Sequence, residues 1–304
     1  MKTFVRLSFL AALLMLSINA HQWSAQSHPE NPALVIGSVT RVIDGDTVVV
    51  KTKSVSGTLP KDVGSLKSEE IVRYIGLNTP EFGSTPDCFA ARAKERNELL
   101  ILGKEVTLEL DIEGRDRFGR LLAYVYLGPV EKDELVQDRL INGGFGHVLA
   151  VGLNISKIKR FLELQRRAIQ KPDGLWNECT IPNKKEMLNI TISEIRYIGD
   201  DEILTLATKG DNSLDLSGWK LVSLPSQILT FPKHCIVQPD ARLRIHTGPK
   251  ADRRNTDCTK GDLFWTTSST WNNEGDTALL QTPNNIVVDY YEYKGGHPLT
   301  HSGH

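Results

Sequence analysis

The chain has 304 residues, of which 40% are hydrophobic and 24% are charged. This composition excludes a disordered, collagen-like or multi-span membrane protein, and the length indicates two domains. Lys plus Arg number 36 and Asp plus Glu number 37, so any nucleic-acid binding must come from a local cleft and not from a global positive field. Four cysteines are too few for a disulfide scaffold but sufficient for two disulfides.

The first twenty residues have the order of a secretory signal peptide. Lys2 and Arg6 precede an apolar run over residues 7–16, and small and polar residues follow up to Ala20. This run is too short to cross a bilayer, which argues against the alternative of a transmembrane anchor. We therefore expect residues 1–20 to be a signal peptide, and the mature protein to be secreted or periplasmic with no integral membrane segment after cleavage.

The first half of the chain predicts five strands with helices inserted late, which is typical of a small closed barrel. Asp44-Gly45 between two apolar runs predicts a hairpin, and the polar stretch over residues 52–70 predicts a long loop. The predicted strands span residues 35–43, 48–50, 71–77, 105–112 and 121–127. Apolar residues at helical spacing predict helices over residues 89–102, 135–141 and 155–169.

The character of the sequence changes after Cys179. Short strands, many turns and no helical pattern over residues 187–293 predict a β-sandwich. We expect one domain over residues 35–180 and a second over residues 187–294. The histidine-containing tail, residues 295–304, is expected to be a flexible end in preference to a metal site.

Four short motifs of the first domain contain the candidate functional residues. Counting by twos places Arg73 on one strand face with Ile71, Ile75 and Leu77, where an unpaired charge is costly. A structural salt bridge or a functional anion would each explain it. The motifs are Ile-Asp-Gly-Asp-Thr at 43–47, Arg-Tyr-Ile-Gly-Leu-Asn-Thr-Pro-Glu at 73–81, Asp-Arg-Phe-Gly-Arg at 116–120 and Gly-Leu-Trp at 174–176.

In this order the motifs resemble those of the staphylococcal nuclease (thermonuclease) family over about residues 35–176. The resemblance implies a mainly β, OB-type five-stranded barrel with helices, and Ca²⁺-dependent hydrolysis of phosphodiester bonds in DNA and RNA. It also implies that Asp46, Asn78 and the Thr79 carbonyl are the Ca²⁺ ligands. Oxygen ligands suit this hard cation.

The same resemblance implies the catalytic groups. Glu81 matches the residue proposed to activate the attacking water, and a carboxylate can accept the proton of that water. Arg73 and Arg120 match the two phosphate-binding arginines, whose guanidinium groups can bind phosphate oxygens in pairs.

Two departures from the family pattern change the expectations. Asn78 stands where the family has a second metal carboxylate, so one negative charge is lost and weaker Ca²⁺ affinity is expected. Phe118, Ala150 and Gly152 stand where the best-known member has tyrosines that pack against bound nucleotide. Substrate contacts and base preference therefore do not transfer to this chain.

In an exported protein the four cysteines can form two disulfides, and four free buried thiols are the alternative. Exported members of the nuclease family often carry cysteines at the positions of Cys88 and Cys179, and a bond between them would clamp the last helix near the site loop. Cys235 and Cys258 lie in the second domain and would be the other pair.

The second domain resembles a lamin-tail domain, an immunoglobulin-like β-sandwich. The resemblance rests on Ile195, Leu-Ser-Gly-Trp-Lys-Leu at 216–221, the stretch 271–280, Val-Val-Asp at 287–289 and Tyr293. Its tryptophans are expected in the core. By analogy alone, the domain would serve substrate recruitment, surface attachment or binding of a protein partner.

These features predict an exported, Ca²⁺-dependent, sugar-nonspecific endonuclease with a C-terminal interaction domain. Single-stranded or locally opened DNA and RNA are the expected substrates, because an OB-type groove accepts splayed strands. A basic helix over residues 157–171 is either a solvated face or a guide for the phosphate backbone. The rival function is a catalytically inactive extracellular nucleic-acid-binding or adhesion protein, which Asn78 and the missing tyrosines favour.

Overall fold

The computed structural model describes residues 28–295. The expected signal peptide and the tail after Gly295 lie outside these residues. Within them, no helix is both long enough and apolar enough to cross a membrane.

The first half folds into a closed five-stranded barrel, as the sequence predicts, with strand order β1-β2-β3-β6-β5. A separate two-stranded sheet pairs β4 with β7 beside the barrel. The strands are β1 Leu34–Val42, β2 Thr47–Ser56, β3 Glu69–Tyr74, β4 Leu77–Asn78, β5 Glu105–Glu109, β6 Leu121–Leu127 and β7 His147–Val148. The helices are α1 Ala90–Ile101, α2 Val136–Asn142, α3 Ile158–Gln170 and α4 Leu175–Glu178.

The prediction of a loop over residues 52–70 is wrong at both ends. Strand β2 continues to Ser56, which pairs with Leu34 of β1, and β3 already begins at Glu69, which pairs with Lys51. The exposed second half of β2 is polar because its side chains face solvent, while its backbone groups find partners in β1. Only residues 57–68 form the connection.

The predicted face of β3 is also wrong. Ile71, expected to be buried beside Arg73, is 43% exposed, whereas Val72 and Tyr74 are buried. The strand ends at Tyr74, and Gly76 turns the chain with a φ of 79°, so alternation does not continue to Leu77. Arg73 itself is buried, and its ion pair, described below, accounts for this.

The second half is an immunoglobulin-like β-sandwich, as predicted. A five-stranded sheet has the order β15-β16-β14-β9-β8 and a four-stranded sheet the order β12-β11-β17-β18. Trp219 and Trp271 are buried in its core. The strands are β8 Ile190–Arg196, β9 Glu202–Thr208, β10 Leu214–Asp215, β11 Lys220–Ser223, β12 Gln227–Thr230, β13 Ile236–Val237, β14 Arg242–Thr247, β15 Thr256–Asp257, β16 Asp262–Thr266, β17 Gly275–Gln281 and β18 Val287–Lys294.

The two halves pack against each other through α3 and β18. Buried Gln165 of α3 accepts a hydrogen bond from the Val148 N–H at 2.7 Å and donates one to the Val287 carbonyl at 2.8 Å. Arg166 forms an ion pair with Asp289 at 2.5 Å. Apolar residues also cross: three from the sandwich join the barrel core, namely Val222, Leu279 and Val287, and four from the helices join the sandwich core, namely Ala168, Ile169, Leu175 and Trp176.

We expect Gln165→Ala to lower the free energy of unfolding by about 2–4 kcal/mol, because it leaves a buried N–H and a buried carbonyl without partners. Denaturant unfolding of the full chain measures this. The matched control is Gln170→Ala, the same substitution at an exposed position of α3, which should change stability by less than about 0.5 kcal/mol. Equal effects of the two substitutions would show that Gln165 does not join the halves.

Candidate active site

The carboxylate of Asp46 lies buried directly before β2. Its Oδ2 accepts a hydrogen bond from the Thr79 backbone N–H at 2.8 Å, and its Oδ1 accepts one from the Thr47 hydroxyl at 3.0 Å. Arg73 Nη2 lies 3.1 Å from Oδ2. Burial raises the pKa of Asp46, while the Arg73 guanidinium opposes that rise. The structure therefore brings Asp46, Arg73 and Thr79 into direct contact.

Arg73 is held by several acceptors at once. Its Nη1 donates to the carbonyls of Tyr74 at 2.9 Å and Leu77 at 2.6 Å, and its Nη2 donates to Asn78 Oδ1 at 2.9 Å. The sequence left a salt bridge and a functional anion as alternatives, and the structure contains the salt bridge, to Asp46. A phosphate-binding function for Arg73 stays a prediction.

His147 is a site residue that no sequence motif indicates. It lies opposite Asn78 in the β4–β7 pair, and its Nε2 is 3.3 Å from Asn78 Nδ2. Its Nδ1 is 3.3 Å from the Val148 carbonyl. Burial lowers the pKa of His147 to about 4, so the ring is neutral at pH 7. Neighbouring Gly146 could have indicated the contact, since a Cβ there would lie 2.6 Å from the Asn78 carbonyl oxygen.

Asn97 is the second site-supporting residue that the sequence motifs miss. It is fully buried on α1, where its Nδ2 donates to the Asp44 carbonyl and its Oδ1 accepts from the Tyr74 hydroxyl, both at 3.0 Å. The Tyr74 N–H donates to the Asp46 carbonyl at 2.9 Å. Helix α1 thus fixes the turn that carries Asp46. A polar residue on the buried face of this helix was the available signal.

Glu81 lies two residues after Thr79, in an exposed loop. Its backbone N–H donates to Asp87 Oδ2 at 3.1 Å, and the Asp87 N–H donates back to the Glu81 carbonyl at 3.1 Å. No hydrogen bond or ion pair among the described residues joins the Glu81 carboxylate to Asp46. Glu81 is exposed to solvent. The two hydrogen bonds with Asp87 hold the backbone of its loop.

Arg120 lies directly before β6, the strand that pairs with β3. It stands two residues before Leu122, which pairs with Arg73 across β3 and β6. Its Nε donates to Asp116 Oδ2 at 2.7 Å, and its guanidinium carbon lies 5.4 Å from the centroid of the Phe118 ring, which is 69% exposed. The arginine is thus oriented by a carboxylate and accompanied by an exposed aromatic surface.

All four cysteines are paired. Cys88–Cys179 joins the segment before α1 to the end of α4, and Cys235–Cys258 lies within the sandwich. These are the pairs expected from the sequence, and the first clamps the last helix of the barrel domain to the end of the loop that carries Glu81.

Three of the six basic residues in the helix over residues 157–171 form ion pairs with acidic neighbours. Lys157, Arg160 and Arg166 form ion pairs with Glu109, Asp133 and Asp289 respectively. This favours a face that stabilises the fold over a guide for a phosphate backbone.

Comparison with known proteins gives two family matches. The staphylococcal nuclease homologue family matches residues 71–178, and the lamin tail domain family matches residues 184–295. The exact first and last residues of the two domains, given above as 35–180 and 187–294, stay predictions.

Similar proteins include two thermonucleases and a bacterial endonuclease. The thermonuclease of Staphylococcus hyicus is 28% identical over 177 residues, covering 55% of this chain and 93% of the relative. The thermonuclease of Staphylococcus intermedius is 31% identical over 142 residues, covering 45% and 74%. An endonuclease of Bacillus subtilis is 30% identical over 163 residues, covering 52% and 69%.

These matches and the barrel identify the class of protein. The chain belongs to the staphylococcal nuclease family, and a lamin tail domain follows its nuclease domain.

Gly45 supplies a test of the geometry around Asp46. A Cβ at Gly45 would lie 2.6–2.8 Å from three side-chain atoms of Thr79, whose N–H binds Asp46. We expect Gly45→Ala to lower the free energy of unfolding by about 1–3 kcal/mol through overpacking, and to speed hydrogen exchange of the Thr79 amide. Urea unfolding and exchange measured by NMR check this.

The matched control is Gly83→Ala, in the loop after Glu81, where a Cβ meets nothing within 4 Å. It should change stability by less than about 0.5 kcal/mol. If Gly45→Ala behaves like this control, the close approach of the two segments is not required.

Proposed function

We propose that this nuclease is an exported, Ca²⁺-dependent, sugar-nonspecific endonuclease that hydrolyses phosphodiester bonds in DNA and RNA. The observation that carries the proposal is the convergence of Arg73 and Thr79 on Asp46, with Asn78 hydrogen-bonded to the same Arg73 guanidinium. A buried carboxylate, an amide oxygen and an arginine at one point suit a cation and an anionic phosphate together.

The residues at this point fit a Ca²⁺ ion of modest affinity. Asp46, the Asn78 amide and the Thr79 carbonyl supply only oxygen donors, which a hard cation prefers. Over residues 28–295, no group of three or more His, Cys, Asp and Glu side chains could hold a metal ion, and this set contains a single carboxylate. Its charge is opposed by Arg73 at 3.1 Å, so binding should need high Ca²⁺.

Bound Ca²⁺ would polarise a phosphoryl oxygen and stabilise negative charge that develops on it. The chain's own residues do the rest. The exposed Glu81 carboxylate accepts a proton from the attacking water. Arg73, fixed at Nη1 by two backbone carbonyls, and Arg120, oriented by Asp116, bind the phosphate oxygens.

Single-stranded or locally opened DNA and RNA are the proposed substrates. The Phe118 ring is exposed, and two cationic side chains lie near it, with the guanidinium carbons of Arg117 and Arg120 at 4.8 and 5.4 Å from its centroid. A splayed base can stack on such a ring, and a paired base cannot reach it. Phe118 would stack on a base in this way without the hydroxyl group that a tyrosine carries.

We propose that residues 1–20 direct export to a secreted or periplasmic location, which the two disulfides support, because such bonds persist in oxidising compartments. The lamin-tail domain is proposed to bind a cell-surface or protein partner, by analogy with its family. Because it packs on α3, we propose that it also stabilises the nuclease domain.

The first experiment is digestion of denatured DNA by the mature protein with Ca²⁺ and with EGTA, beside Glu81→Gln. We expect cleavage that needs Ca²⁺ and that the substitution lowers by about a hundredfold or more, since the water loses its proton acceptor. DNA affinity should be unchanged. Glu95→Gln, an exposed change on α1, is the matched control and should cleave normally.

Binding of DNA without cleavage, even at about 10 mM Ca²⁺, would contradict the proposal. That result would favour the rival, a catalytically inactive nucleic-acid-binding or adhesion protein.

A second experiment tests the metal site by Asn78→Asp. Restoring a second carboxylate beside Asp46 should tighten Ca²⁺ binding by about tenfold or more, because one unit charge close to the ion is added. Isothermal calorimetry measures the dissociation constant. Asn177→Asp adds the same charge at an exposed position of α4 and should leave the constant unchanged; equal tightening in both variants would argue against Asn78 as a ligand.

A further inference from the structure

We propose that His147 is a positioning residue that fixes the orientation of the Asn78 side-chain amide, so that its oxygen faces the Asp46–Arg73 pair. The orientation of the Asn78 amide is inferred from hydrogen-bond geometry alone. Its consequence, cation binding by the amide oxygen, rests on the proposed function.

The donors and acceptors around Asn78 permit a single arrangement. A guanidinium can only donate, so the atom that lies 2.9 Å from Arg73 Nη2 must be the amide oxygen. The amide nitrogen then faces His147 Nε2 at 3.3 Å, and this ring atom must accept. With Nε2 accepting, the ring hydrogen lies on Nδ1, which is 3.3 Å from an acceptor, the Val148 carbonyl.

The backbone holds the imidazole at this place. Asn78 and His147 are direct partners in the β4–β7 pair, and Leu77 pairs with Val148. The Val148 N–H is bound by Gln165, which is in turn bound to the sandwich. Strand β7, which carries His147, is therefore held by its pairing with β4 and by Gln165 of α3.

The need for such a residue follows from the chemistry of an amide. A carboxylate presents an oxygen whichever way its terminal torsion turns, but an asparagine turned by half a revolution presents NH₂. Here that turn would place a donor against the Arg73 guanidinium and remove an oxygen ligand from the cation. An acceptor on the far side, which His147 Nε2 provides, binds NH₂ only in the productive orientation.

The test compares His147→Leu, which has no acceptor, with His147→Gln, whose amide oxygen can take the place of Nε2. In the metal-free protein at pH 7, the NMR resonances of the Asn78 side-chain NH₂ should shift in His147→Leu and stay close to those of the native protein in His147→Gln. Long-range proton–nitrogen spectra of the native protein should show the His147 hydrogen on Nδ1. By calorimetry, His147→Leu should weaken Ca²⁺ binding about tenfold or more, and His147→Gln should restore most of it.

A double-mutant cycle separates positioning from a general structural effect. In an Asn78→Asp background both ends of the side chain are oxygens, so His147→Leu should no longer weaken Ca²⁺ binding. An equal loss in both backgrounds, or an unchanged NH₂ resonance in His147→Leu, would overturn the proposal. If the native protein fails to bind Ca²⁺ and to cleave, the proposed function falls, while the NH₂ and imidazole resonances still decide whether His147 orients Asn78.

Discussion

The buried carboxylate of Asp46 is the point at which the site segments meet. It binds the Thr79 N–H from the segment after β4 and the Arg73 guanidinium from β3, and its own turn is fastened to α1 through Asn97. A buried carboxylate is costly unless its oxygens have such partners. The segments therefore hold one another in place, because each of them binds the Asp46 carboxylate or the turn that carries it. The barrel strands support these segments.

The amide side chain at position 78 determines the charge balance of the site. Asp46 and Arg73 form a pair of opposite charges, and Asn78 adds a dipole but no further charge. If the site binds Ca²⁺ as proposed, one carboxylate attracts the cation less strongly than two would, and binding needs a high Ca²⁺ concentration. It also makes the site dependent on the direction of one dipole, a dependence that a carboxylate does not have.

Local patterns predicted the barrel strands, three helices and the sandwich well, because the periodicity of apolar residues follows directly from which side of an element is buried. The site residues Asp46, Arg73, Asn78 and Thr79 came from motifs in register, and the structure brings these four together. His147 and Asn97 could not come from motifs, since each meets the site through tertiary pairing across a long stretch of chain. The error over residues 52–70 has the same origin: a polar strand is held by its backbone partners, which composition does not reveal. The polar Gln165 in the apolar stripe of α3 was a visible sign of the domain contact, but its partner lies 122 residues away.

The shared core between α3, α4 and the sandwich determines how the two domains can cooperate. A domain on a flexible tether raises the local concentration of whatever it holds, over a volume set by the length of the linker. Here the connection is a packed apolar interface with a buried glutamine across it, which restricts movement of the sandwich relative to the barrel. A molecule bound by the sandwich would therefore be held beside the nuclease domain over a narrower range of positions than a flexible linker allows. The shorter reach is offset by the smaller loss of freedom when both domains contact one molecule.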